Sequence, residues 1–135
     1  MVRFKLSFRR PRVDEAKVDL ILKLGRQAGY SDRKAVEKLD EALHQQSRKN
    51  WTAVEQILNT TCSPDDELYK RLLKIGRLAF SIGALEWERE QHADASSLLF
   101  KNNLALLKLE FDWLKEKAFI PKDKKVEDSI PIRET

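Results

Sequence analysis

One cysteine, four glycines, four prolines and two histidines are spread over 135 residues. Each scarcity excludes something. The lone Cys62 cannot close an intramolecular disulfide, which fits a reducing, cytoplasmic setting. So few glycines and prolines argue against a sandwich or barrel, whose many tight turns consume them. No uncharged run approaches the ~20 apolar residues of a membrane span, and no apolar run follows the basic N-terminus. Neither a transmembrane helix nor a signal peptide is expected, and no membrane partner. His-x-x-x-His, a glycine-rich phosphate loop and a Gly-x-Ser-x-Gly elbow are all missing. The chain is therefore expected to be no enzyme, with no catalytic residue, no metal site and no cofactor.

What is present is a globular balance, 41% hydrophobic and 36% charged, with a formal net charge of +4. That charge is uneven. Residues 1–12 hold five Lys/Arg and no acid, while the rest of the chain is close to neutral. Such asymmetry marks a small electrostatic contact site rather than a basic surface. In the same stretch Val2, Phe4, Leu6 and Phe8 alternate with Arg3, Lys5, Ser7 and Arg9, the period of a strand over 2–9. Pro11 ends it.

The remainder reads as helix: a mainly α fold of about five helices in a bundle, with one short N-terminal strand. A first helix is predicted over 13–27, burying Val13, Ala16, Leu20, Ile21 and Leu24, with Gly29 as its stop. Ser31 caps a second over 32–48, burying Ala35, Val36, Leu39, Ala42 and Leu43. A third starts at Asn50 or Thr52. In "CSPDDE", Ser63 caps a fourth, Pro64 takes its first position, and Asp65 and Asp66 complement its dipole. That helix keeps Leu68, Leu72, Ile75, Ala79 and Ile82 in one stripe, and Gly83 breaks or bends it. A long helix over 84–118 aligns Phe100, Leu104, Leu107, Phe111 and Leu114. The expected units are a nucleic-acid-binding module over 1–46, a bundle over 47–119 and a disordered tail over 120–135.

Few residues invite chemistry. His92 lies near a helix seam, with no acid at metal-site spacing. Glu86, Glu88 and Glu90, two apart on a helix, point about 200° from one another and cannot converge on a metal. Cys62 beside a helix N-terminus is read as structural. Lys70, Arg71, Lys74 and Arg77 form a basic stripe, either a phosphate grip or a solvated helix face. Trp51 follows Arg48, Lys49 and Asn50. It is the tryptophan best placed to stack on a base, although helical tryptophans are mostly core.

The order of a short alternating strand, a helix, Gly29-Tyr30-Ser31 and a second helix opening "DRKAVEKLDEAL" resembles the ribbon-helix-helix DNA-binding family. Gly29 and Ser31 match its turn, and Ala35 and Val36 match its first buried pair. Asp40 departs from the pattern, where an apolar residue is usual. The resemblance implies a homodimer whose paired strands enter the major groove. Arg3, Lys5 and Ser7 would face the bases, and Arg9, Arg10 and Arg12 would lie near phosphates. A rival reading takes "LGRQAGYS" as a helix-turn-helix turn, aiming Arg33, Lys34 and Glu37 at DNA, with Lys38 where an apolar residue belongs. In size, helical content and basic character the chain also resembles the small subunits of CRISPR effector complexes. That reading puts Lys70, Lys74, Arg77, Arg48 and Lys49 on the nucleic-acid backbone within a larger complex. Three functions stand at this point: a non-enzymatic, dimeric nucleic-acid-binding regulator with DNA favoured, a helical subunit of a nucleoprotein complex, or a protein–protein adaptor.

Overall fold

The computed structural model describes residues 13–94 and 97–130, and the predicted strand over 2–9 lies outside them. Among the described residues there are five helices and no strand. These are α1 (Glu15–Lys38), α2 (Glu41–Thr61), α3 (Glu67–Gln91), α4 (Ser97–Glu116) and the single turn α5 (Val126–Ser129). The mainly α bundle is as expected, but its breaks fall elsewhere.

α1 runs unbroken through Gly29-Tyr30-Ser31, so neither expected turn exists there. The ribbon-helix-helix resemblance placed its turn on these residues, and they are helix. Gly29 serves a different purpose. A Cβ built on it would stand 1.8 Å from the Phe80 carbonyl oxygen, and one on Gly83 would stand 1.9 Å from that of Arg26. A Cβ on Gly25 would meet the Gly76 oxygen at 2.8 Å. The glycines let α1 and α3 touch backbone to backbone, which no other residue permits. The contacts 25 to 76 and 29 to 80 rise together along both helices, so α1 and α3 run parallel. α3 likewise runs unbroken through Gly83.

α2 lies antiparallel to this pair. Buried Ser47 donates its hydroxyl to the Ala28 carbonyl at 2.8 Å, and the Trp51 ring meets Phe80 edge-on at 5.9 Å. α4 packs antiparallel on the far side of α3, through Glu110 against Arg71 and Phe100 against Arg89. One core runs from Val13 to Ile130 and includes both predicted stripes, that of α3 and that of α4. It crosses the boundary expected at 46/47, which falls inside α2.

With the glycines occupied at the crossing, two helices end without them. Leu39 closes α1 at φ 52°, and Ala118 follows α4 at φ 63°. The Asp40 N–H then reaches back to the Ala35 carbonyl at 3.1 Å, and the Phe119 N–H to that of Leu114 at 2.9 Å. This is the Schellman geometry that glycine normally serves. Asp40, the residue that broke the family pattern, is the N-cap of α2, its Oδ1 accepting from the Ala42 N–H at 3.0 Å. Leu39 is 92% exposed, Val36 and Leu20 are also exposed, and none of the three is core as predicted. Leu39→Gly removes left-handed strain of about 1–2 kcal/mol against a backbone-entropy cost of about 0.5–1 kcal/mol. A net gain of about 0.5 kcal/mol is expected in urea melts, because an exposed side chain takes no packing with it.

Two further boundaries move. α3 starts at Glu67, after a turn in which the Ser63 N–H donates to Asp66 Oδ2 at 3.1 Å, so Pro64 precedes the helix. The tail, expected to be disordered from 120, is folded through residue 130. Ile120, Val126 and Ile130 are buried, and Lys124, at 5% exposure, reaches Glu15 and Asp19 at 2.9 Å each. Apolar spacing alone cannot reveal this strap, because what holds it is α1, more than a hundred residues away in sequence.

Candidate nucleic-acid interface

Helix periodicity sets which basic residues of α3 reach solvent. Lys70, Lys74 and Arg77 stand at spacings of four and three, which stacks them on one exposed face. Their neighbour Arg71 is turned aside. Its Nη1 binds Glu110 at 3.1 Å and its Nε binds Glu67 at 3.0 Å. Glu110 is 2% exposed, and Lys74 Nζ stands 3.3 Å from it. A buried carboxylate needs such partners, so Arg71 belongs to Glu110 and Lys74 is shared. The hydrogen bond to Glu110 holds the Arg71 guanidinium above its usual pKa, against desolvation. Lys70 and Arg77 make no ion pair among the described residues.

Beside this stripe lies an aromatic group. Trp113 is half-buried and stacks on Phe119 at 6.1 Å. The Arg71 guanidinium stands 5.0 Å from its ring centre and Lys117 Nζ 5.9 Å. Sequence reasoning chose Trp51 instead, which is likewise half-buried, its ring over Gly76 and edge-on to Phe80. The signal for Trp113 was present in "DWLKEKAF", where Lys115 and Lys117 follow the ring closely.

The basic N-terminus joins the bundle at this end. Because α1 and α3 are parallel, Val13 and Asp14 stand at the same end as the start of α3. An open groove of about 510 Å³ lies there, lined by Asp14, Glu15, Lys115, Phe119, Ile120 and Lys122. Arg3, Lys5, Ser7, Arg9, Arg10 and Arg12 lie outside the described residues. Arg48 and Lys49 are exposed on α2, but Arg48 is paired with Glu41 at 3.0 Å. The structure therefore gathers Lys70, Lys74 and Arg77 into one stripe and leaves Arg48 and Lys49 on a different helix.

Arg26, Arg33 and Lys34 of α1 have work inside the fold. Arg26 binds Glu86 through Nε at 2.7 Å and Nη2 at 2.6 Å. Arg33 pairs with Glu88 and Glu37, and Lys34 stands over Trp87. Arg33 and Glu37 therefore serve each other and the bundle rather than a recognition face. The Tyr30 hydroxyl donates to Glu90 at 2.7 Å. That hydrogen bond, with burial and the charges of Glu90 and Glu86, pushes its pKa up to about 12. The three alternating glutamates thus each take a separate partner on α1. Burial, with Asp66, raises the Cys62 thiol above its usual range despite Lys17, so it is no ready thiolate. Among the described residues no three His, Cys, Asp or Glu groups are placed to hold a metal ion. Nor is any helix among them long and apolar enough to cross a membrane.

Comparison with protein-family models, curated proteins and solved structures finds no match to this chain.

Proposed function

We propose that this chain is a non-enzymatic nucleic-acid-binding protein that grips the phosphate backbone. The observation that carries this reading is the α3 stripe of Lys70, Lys74 and Arg77 beside Trp113. Two of its cations have no acidic partner among the described residues. Residues 1–12, with five Lys/Arg and no acid, join the described chain at the same end of the bundle. Phosphates reward such cations by counterion release. Of the two nucleic-acid readings, the helical-subunit type fits better, because the turn required by the ribbon version is helix.

Fluorescence anisotropy with labelled duplex DNA and single-stranded RNA tests the proposal. Lys70→Ala with Arg77→Ala should weaken binding about tenfold at low salt, and should lower the slope of log K against log salt by about 2, one per lost phosphate contact. Arg3→Ala with Lys5→Ala should act alike. Random DNA should compete fully, whereas a regulator would keep a specific site. Wild-type binding by both double variants, or no binding at low salt, overturns the reading.

A further inference from the structure

α4 has two apolar faces, and the bundle uses one. Phe100, Leu104, Leu107, Phe111 and Leu114 are buried, yet Leu98, Leu99, Leu106 and Leu109 are 72%, 57%, 41% and 60% exposed. On a helix of 3.6 residues per turn, Leu98, Asn102, Ala105 and Leu109 fall in one line, flanked by Leu99 and Leu106. That is the layout of a helix-pairing seam with one polar residue in it. Four exposed leucines on three turns exceed the scattered apolar residues of an ordinary surface.

The charges around this seam decide what covers it. Lys101, Lys108 and Lys115 repeat every seven residues along one edge, where Glu127 of α5 stands 3.3 Å from Lys108. Across the other edge Arg71 and Lys74 of α3 are already held by Glu110, and Lys117 stands beyond the helix end. The only acids on the exposed face of α4 are Asp112 and Glu116, in its last turns. A second copy fits poorly. Antiparallel pairing sets the lysine edges against each other, and parallel pairing stacks Asp112 and Glu116 on their mates. An anionic membrane fits poorly too, because Asp112 continues the line of Leu98 and Ala105 and would be pressed into the headgroups. We propose that this face docks an amphipathic helix of a different protein, one whose apolar stripe is edged by acidic residues that meet Lys101 and compete with Glu127 for Lys108. Asn102 would fix the register by demanding a polar mate. This surface borders the α3 stripe at Lys74, but its leucines do not depend on the nucleic-acid reading.

The test uses the full chain and two synthetic helical peptides of about three heptads. They share one leucine seam and differ only in carrying Glu or Lys along its edges. By fluorescence anisotropy the Glu-edged peptide should bind at micromolar concentration, at least about tenfold more tightly than the Lys-edged one, with the difference shrinking in high salt. Leu109→Glu should abolish binding while circular dichroism stays unchanged. Equal binding of the two peptides, or no binding of either, overturns the proposal. So does a wild-type dimer in sedimentation that Leu109→Glu dissolves, which would give the face to a second copy. Leu109-dependent pelleting with phosphatidylglycerol vesicles would give it to a membrane and overturn the proposal as well.

Discussion

Gly29→Ala and Gly83→Ala should each destabilise the protein by at least about 3 kcal/mol, the upper range for overpacking a tight interior. The direction is informative because intrinsic propensity points the other way. Inside a helix, alanine is favoured over glycine by about 1 kcal/mol. The opposing term is geometric. The new Cβ would overlap the Phe80 or Arg26 carbonyl oxygen at 1.8 or 1.9 Å. Both obstacles are backbone, so no side chain can swing aside, and α1 must lift off α3 along its whole length. The four glycines should rank by clearance. Gly25→Ala, at 2.8 Å from the Gly76 oxygen, should cost less. Gly76→Ala should be close to neutral, because its Cβ would meet only the Val54 and Trp51 side chains at 3.3 and 3.4 Å. Urea unfolding followed by circular dichroism measures all four. If Gly29→Ala proved as mild as Gly76→Ala, the backbone contact between α1 and α3 would not exist.

These glycines also show where the sequence could be read and where it could not. The stripes Leu68 to Ile82 and Phe100 to Leu114 were legible, because burial of one helix face imposes a period that a local window detects. The breaks were not. Gly29 and Gly83 looked like helix stops because a glycine's two uses, left-handed caps and close approach, are the same letter in one sequence. The real end of α1 is at Leu39, an apolar residue in a conformation it disfavours. Its marker was Asp40, whose acceptor serves the next helix and which looked like a flaw in a family pattern. At the candidate interface the spacing of Lys70, Lys74 and Arg77 was legible, as any i,i+4 stripe is. That Arg71 is committed to Glu110 was not, because the partner lies on another helix. Trp113 was passed over for Trp51 because flanking charge was weighed without knowing that Gly76 leaves a slot for the Trp51 ring.

The strap after α4 offers a second large effect. Lys124 is buried, yet it is charged and held by Glu15 and Asp19, while Asp19 also accepts from the Ser129 hydroxyl at 2.5 Å. Burial alone would push the Lys124 ammonium down. The hydrogen bonds and charges of Glu15 and Asp19 outweigh it and raise the group above its usual value. Asp19→Ala removes half of that compensation, frees Ser129 and leaves a buried cation underpaired. A loss of about 2–3 kcal/mol is expected, somewhat below the full cost of breaking a buried pair because Glu15 remains. Lys124→Met should cost distinctly less, because it keeps the volume and removes the charge that needs partners. The double variant should be no less stable than Asp19→Ala alone, since without the ammonium Asp19 has little left to hold. The pH response has a fixed sign. A lysine raised in the folded state stabilises fully below its unfolded value of 10.5, and that contribution disappears as pH climbs through the folded value. Wild type should therefore lose stability above about pH 10.5 more steeply than Lys124→Met. Tyr30, raised to about 12, adds a loss of the same sign to both proteins and cancels in the comparison. Equal costs for Asp19→Ala and Lys124→Met, with parallel alkaline profiles, would mean that the strap is held by Ile120, Val126 and Ile130 alone.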